Sequence, residues 1–208
     1  LEDTEIGQMI ASGDPDQGEA AFAQLFTSVA TLNPVPYMVD PEVMASVWSE
    51  QKAAAERHYE PGVFTTLVAF EWTSQPGSQN LHHNVFFRDG GPDAFYSSMD
   101  STRREDLWSY QEAQRAAGHE NLSINHNANV SDSMMDNVLT SDGDPIDRAW
   151  AERSQANTVA TEIVQTKGAS EGHPALQPND EFAEFESGFT HLLGSGGVVG
   201  RIDRSFVR

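Results

Sequence analysis

The chain has 208 residues, of which 32 are acidic and 12 are basic, so its formal net charge is −20. This balance argues against binding to nucleic acid or to an anionic membrane surface, because both need a positively charged protein. The absence of cysteine excludes disulfides and thiolate metal sites, and no apolar run is long enough to span a membrane.

The N-terminal part of the chain is predicted to be helical. Apolar residues at positions 22, 25, 26 and 29 recur with helical spacing after the turn at residues 13–16. Asp40 and Pro41 supply an N-cap and a first-turn proline for a second helix. Residues 63–70 are almost entirely apolar, and we predict a strand there that is covered on both faces, as in a parallel sheet.

The rest of the chain alternates between strands and helices. Thr102 and Glu105 form a capping-box pattern for a helix that ends at Gly118. Further elements are strands at 83–87, 121–125 and 158–165, a loop at 127–142, a helix at 144–155 and a short helical stretch at 180–186. This alternation predicts an α/β fold with a largely parallel sheet, and the length predicts a single domain over residues 1–208.

Residues of metal-ligand type stand at the ends of these strands. Glu71 ends the first apolar run, His126 ends the strand at 121–125, and the pair His82 and His83 opens the strand at 83–87. Strand ends converge on one side of an α/β sheet, and divalent metals accept carboxylate and imidazole ligands. We therefore predict a metal site with Glu71 and His126 as catalytic ligands. If the pair is extended, at most one of its two histidines faces the site.

Each of these residues also has a simpler interpretation. Glu71 would then be a strand-end carboxylate in water, and His126 an imidazole satisfied within the core. The asparagines on either side of His126 favour a polar pocket, which makes Asn127 a candidate for substrate binding. Lys167 could hold a phosphate, sulfate or carboxylate group as a point charge, or be an exposed loop lysine. His173, in a polar loop cluster, is a further candidate on the substrate side.

Other enzyme classes have less support. The sequence contains no G-x-S-x-G elbow, P-loop, G-x-G-x-x-G or His-Glu-x-x-His motif. A carbohydrate-active enzyme would depend on the many acids and on four tryptophans that are more typical of a core. Those tryptophans are Trp48, Trp72, Trp108 and Trp150.

Several segments between roughly residues 63 and 186 are specific when they are taken together. They comprise 70–74, 80–90, 106–108, 125–132, 162–168, 170–174 and 178–186. These segments resemble a family of bacterial proteins, domain-of-unknown-function family 3604. That family is similar to the PHP (polymerase and histidinol phosphatase) metallo-hydrolases, which have a distorted β/α barrel and a centre of two or three metals. The resemblance implies a PHP-like barrel with largely parallel strands. It also implies that Glu71, His82 and His126 are metal ligands.

The chain departs from the PHP pattern in several motifs. An opening His-x-His strand, a following Asp-His and a closing Asp-x-His strand are all missing, and His83 stands where an arginine is expected. These departures imply that the sequence is a central fragment of a longer barrel. Most metal ligands would then lie outside it.

The function predicted from these observations is hydrolysis of a small anionic phosphate or sulfate ester with Mn, Fe or Zn. The site would be incomplete in this chain. The alternative is a non-catalytic binding or structural module on the same framework. Nucleic-acid and membrane partners are not expected, and the family likeness suggests a periplasmic or extracellular location.

Overall fold

A computed structural model describes residues 3–30, 33–131, 134–165, 168–170 and 177–183. The chain forms two compact units, Leu1–Ala54 and Ala55–Arg208. The prediction of a single domain stays a prediction. Among the described residues, no helix is both long enough and apolar enough to cross a membrane.

The first unit is helical, and its last helix extends beyond Ala54. Helix α1 spans Glu5–Ala11, α2 spans Pro15–Ala30 and α3 spans Pro41–His58. The oxygen Oδ1 of Asp40 accepts hydrogen bonds from the backbone N–H groups of Glu42 and Val43, at 2.8 and 3.4 Å. The predicted N-cap and first-turn proline of this helix are therefore confirmed.

The second unit is built on a four-stranded sheet. Its strands are β1 (Val68–Ser74), β2 (Leu81–Phe87), β3 (Asn121–His126) and β4 (Thr158–Thr161), in the spatial order β1-β2-β3-β4. Helix α4 (Arg104–Ala116) lies between β2 and β3 in the chain, and α5 (Arg148–Asn157) lies between β3 and β4. Two short strands, β5 (Val164–Gln165) and β6 (Gly168–Ala169), form a separate hairpin.

The prediction of a PHP-like barrel with largely parallel strands is wrong for the described chain. The pairs β1/β2 and β2/β3 are antiparallel, only β3/β4 is parallel, and the sheet is open. The physical reason is visible in the connections. Residues 75–80 alone join β1 to β2, whereas a parallel crossover needs a dozen residues or more. The segment between β3 and β4 contains α5 and is long enough for the parallel crossover.

The first strand begins later in the chain than predicted. Residues 63–67 precede β1, and the side chains of Val63 and Phe64 are 74% and 60% exposed. Within β1, buried and more exposed residues alternate, which is the pattern of an antiparallel strand with one covered face. The apolar run predicted the presence of a strand but not its bounds or its direction.

The covered face of the sheet forms the core of the second unit. Phe70 packs against Tyr110 of α4 at 6.1 Å between ring centroids, and the indole N–H of Trp72 donates to the carbonyl of Ser101. Fully or nearly fully buried apolar residues around them are Val68, Phe70, Trp72, Val85, Phe87, Leu107 and Trp108. The opposite face carries Glu71 and Thr73 of β1, because side chains alternate along a strand.

The predicted capping box of α4 is not formed. The N-cap is Arg103, and its side chain makes no capping hydrogen bond. The carboxylate of Glu105 instead accepts from Ser141 and from the indole N–H of Trp150, both of which belong to later segments. Tertiary contacts have displaced the local interaction that the sequence suggested. The end of this helix at Gly118, which has φ +101°, is confirmed.

The remaining predicted elements agree with the structure in part. The strand predicted at 158–165 ends at Thr161, and the helix predicted at 144–155 is α5, which starts later. The helical stretch predicted at 180–186 is a turn at residues 181–183, and its last three residues lie outside the described residues.

Candidate functional site

The less covered face of the sheet brings one carboxylate to a buried imidazole. In the antiparallel β1/β2 pair, Thr73 lies opposite His82, so Glu71 is the diagonal neighbour of His82 on the same face. The Nδ1 atom of His82 is 2.9 Å from Oε1 of Glu71. His82 is 4% exposed, whereas the Glu71 side chain is 40% exposed. The carboxylate therefore reaches the ring from the solvent side.

A second carboxylate–imidazole pair forms beside the first. His126, the last residue of β3, lies directly opposite His82 in the β2/β3 register, and the two ring centroids are 6.3 Å apart. Its Nδ1 atom is 2.5 Å from Oε2 of Glu162, which follows β4. The backbone N–H of Glu162 donates to the carbonyl of Asn125 at 3.2 Å, which fixes this glutamate beside the end of β3.

Asn127 lies between the two pairs. Its backbone N–H donates to Oε1 of Glu162 at 3.3 Å, and its carboxamide nitrogen is 3.2 Å from Nδ1 of His82. Its carboxamide oxygen accepts from Nε2 of Gln165 at 2.5 Å. Asn127 is 1% exposed and has the left-handed backbone angles φ 62° and ψ 35°.

The other ring nitrogen of His82, Nε2, makes no such contact with the described residues. This atom is buried and makes no hydrogen bond within the described residues. A buried polar atom without a partner costs free energy, about 1–3 kcal/mol in mutational studies. An imidazole whose Nδ1 is held by a carboxylate and whose Nε2 is free is also the usual arrangement of a histidine that binds a metal.

The described residues supply atoms of the type that a metal ion binds, but they supply too few of them. Two imidazoles and two carboxylates lie close together, and these are ligand types for Zn, Mn or Fe. However, no group of three or more His, Asp or Glu among the described residues has a geometry that could hold a metal ion. The site as described would therefore supply only part of a coordination sphere.

The electrostatics of Glu71 follow from its contact with His82. The hydrogen bond with His82 lowers the pKa of Glu71 below its ordinary value of 4.5. Partial burial opposes this effect, while electrostatic attraction by His82 and His126 and a hydrogen bond with Thr73 add to it. Glu71 is thus held in its ionised, hydrogen-bond-accepting form.

This pKa shift makes the stability contribution of Glu71 dependent on pH. Because the folded-state pKa is lowered, the contribution is present above the ordinary value of 4.5 and is lost as the pH falls through the folded-state pKa. We expect Glu71→Gln to be destabilising near neutral pH and progressively less so below 4.5. Urea denaturation of both proteins from about pH 3 to about pH 7 measures this difference. A difference that does not change with pH would contradict the expectation.

The predicted site residues are brought together in part. Glu71, His82, His126 and Asn127 are close neighbours, although Glu71 lies in the middle of β1 and not at its exit. His83 points to the opposite face, where it packs against Trp72. Its complete burial lowers its pKa to about 3, so this ring is neutral. Lys167 and His173 lie outside the described residues.

Two residues of the cluster were not among the predicted site residues. The sequence predicts that Glu162 and Gln165 lie within a strand at 158–165, and it assigns neither of them to the site. The position of Glu162 in the sequence does contain a signal, because a carboxylate that closely follows a strand is a candidate site residue. The same argument identified His126, which ends β3. Three of the four tryptophans of the carbohydrate interpretation are core residues, since Trp48, Trp72 and Trp108 are at most 2% exposed. Trp150 is half-buried.

Comparison with known proteins identifies one family. No curated protein and no solved structure matches this chain. The sequence model of the family described as "Protein of unknown function (DUF3604)" matches residues 2–208, which is nearly the whole chain. The chain therefore belongs to the DUF3604 family, as the resemblance of its motifs indicated.

Proposed function

We propose that the paired imidazoles take part in metal-dependent hydrolysis of a small phosphate or sulfate ester, in the manner of the PHP metallo-hydrolases. The observation that carries this proposal concerns the His82 ring, which lies beside the ring of His126. Its Nε2 atom is buried and has no hydrogen-bond partner among the residues that the structure describes. Burial without a partner is unfavourable unless a ligand completes the site. A divalent cation is the ligand that accepts lone pairs from two imidazoles.

The residues have distinct roles in this proposal. His82 and His126 bind the metal through Nε2, while Glu71 and Glu162 accept from Nδ1 and fix the orientation of each ring. The prediction that Glu71 is itself a metal ligand stays a prediction. In the present proposal its carboxylate accepts from Nδ1 of His82 and orients that ring. Lys167, if it lies near the site, positions the anionic group of the substrate.

The local charge also favours a bound cation. Glu71 and Glu162 both face this site, and the chain as a whole has a formal charge of −20. An anionic ester would be repelled by such a surface unless positive charge were present. A divalent ion held by His82 and His126 would supply that charge, and the chemistry it would contribute is acidification of a water and stabilisation of negative charge on the ester oxygens.

A non-catalytic module is the competing function. It is favoured by the lack of any three-ligand group among the residues that the structure describes. Such a module would keep the paired imidazoles as a structural feature and bind no metal at stoichiometric level. Metal content therefore separates the two possibilities.

The test is metal analysis of the purified chain after loading and dialysis. Loading uses Mn²⁺, Fe²⁺ or Zn²⁺ separately, and hydrolysis of p-nitrophenyl phosphate and p-nitrophenyl sulfate is then measured. The proposal expects a stoichiometric metal and turnover that stops with a chelator. A stable chain that retains no metal and hydrolyses neither ester would favour the non-catalytic module.

A further inference from the structure

The carboxamide of Asn127 is fixed at both ends. It is buried, it lies between His82 and Gln165, and its own backbone N–H is bonded to Glu162. The left-handed backbone of Asn127 disfavours most side chains but is adopted by asparagine more often than by other non-glycine residues. The position of this side chain relative to His82 is therefore closely determined.

Two groups compete for the same nitrogen of His82. Its Nδ1 atom is 2.9 Å from the carboxylate of Glu71 and 3.2 Å from the carboxamide nitrogen of Asn127. An ionised carboxylate only accepts hydrogen bonds, whereas an amide nitrogen only donates them. A neutral imidazole nitrogen either carries a proton or does not, so it cannot satisfy both neighbours.

The partly exposed carboxylate favours one of the two tautomers, and a second oxygen beside the same nitrogen would add to that preference. Hydrogen bonds to a charged partner are about twice as strong as those between neutral groups, so the proton belongs on Nδ1 and is donated to Glu71. The amide oxygen of Asn127 then suits the position next to Nδ1, which a half-turn of the carboxamide provides. A matching half-turn at Gln165 preserves the 2.5 Å hydrogen bond between the two amides.

We infer that Asn127 is a positioning residue whose carboxamide oxygen, with Glu71, holds His82 as its Nδ1–H tautomer. This tautomer leaves the lone pair on Nε2, which is the buried atom without a partner in the described part of the chain. The inference rests on the proposed function for its purpose, since a cation binds imidazole through the unprotonated nitrogen. In the opposite tautomer, Nε2 would be a buried N–H group facing no acceptor in that same part of the chain.

The tautomer can be observed directly by ¹⁵N NMR of the metal-free full chain, labelled at histidine. Spectra are recorded at alkaline pH, where free imidazole is neutral, and His82→Gln assigns the signals. We expect the Nδ1 of His82 to have the shift of a protonated ring nitrogen and its Nε2 that of an unprotonated one. A wild-type ring with its proton on Nε2 would overturn the inference.

Two variants test the contribution of Asn127. Aspartate and glycine both tolerate a left-handed backbone, but only aspartate keeps an oxygen acceptor beside the ring. Asn127→Asp should keep the Nδ1–H tautomer. Asn127→Gly should show a mixture of tautomers and bind Zn²⁺ at least about tenfold more weakly than the wild type. Unchanged His82 signals in Asn127→Gly would contradict the positioning role.

Zn²⁺ titration of the wild-type sample separates this inference from the proposed function. If the wild type has the expected tautomer, Asn127→Gly alters it, and no Zn²⁺ binds, the proposed function fails and the positioning role stands. If Zn²⁺ binds stoichiometrically but metal-free His82 carries its proton on Nε2, the positioning role fails and the function stands.

Discussion

His82→Ala is expected to abolish stoichiometric metal binding, and with it any metal-dependent ester hydrolysis. The wild-type ring is 4% exposed, its Nδ1 is held by Glu71, and its Nε2 has no hydrogen-bond partner among the described residues. Removing a ligand from a site that already has few donors leaves too few to hold a divalent ion. Metal content after dialysis, measured by mass spectrometry, tests this directly.

A matched control is available just outside the sheet. His119 also has its Nδ1 atom close to a carboxylate, at 3.1 Å from Asp89. His119 precedes β3 and therefore lies at the opposite end of the β2/β3 pair from His82. His119→Ala should therefore leave metal content unchanged. Glu162→Gln should weaken binding about 10- to 100-fold, as expected for a carboxylate that orients a ligand. Equal metal content in wild type and His82→Ala would contradict the assignment of His82 as a ligand.

Loss of folding could imitate loss of metal in the His82→Ala protein. His82→Gln keeps much of the side-chain volume and a polar group near the Glu71 carboxylate, so it is the better-tolerated substitution. Both variants should be compared by thermal unfolding before metal is measured. A folded His82→Gln protein without metal supports the assignment, and a folded one with full metal content contradicts it.

Arg104→Ala is expected to destabilise the second unit by about 3 kcal/mol. Arg104 is 6% exposed, and its guanidinium donates to the carbonyls of Met134 and Met135 at 3.2 and 2.7 Å. It also stacks on the ring of Trp150, at 5.0 Å from the centroid. Burial lowers the pKa of this arginine, yet its position among carbonyls keeps the charge solvated by the protein.

The expected loss has three physical sources. Alanine would leave two carbonyls without their donor, remove the cation–π contact and create a cavity beside Trp150. Arg148→Ala is the control, because the Arg148 side chain is 91% exposed and pairs with Glu152 on the surface of α5. Such a pair contributes only a few tenths of a kcal/mol. Urea denaturation compares the two variants, and similar losses in both would contradict this account.

The sequence predicted the local elements better than their arrangement. The N-cap at Asp40, the helix end at Gly118 and the strands around 83–87 and 121–125 depend on short-range interactions, which a single chain segment contains. The direction of strand pairing depends on how segments meet. Alternating elements suggested a parallel sheet, but the connection at residues 75–80 is too short for one.

The amino-acid sequence alone indicated that imidazoles lie at or near strand ends, that the chain is strongly acidic and that it belongs to the DUF3604 family. Which of these groups come into contact depends on the three-dimensional fold. The pairing of Glu162 with His126, the position of Asn127 against His82 and the burial of Arg104 join residues far apart in the chain. Such contacts arise from strand register and packing, and the order of residues along the chain does not encode them locally.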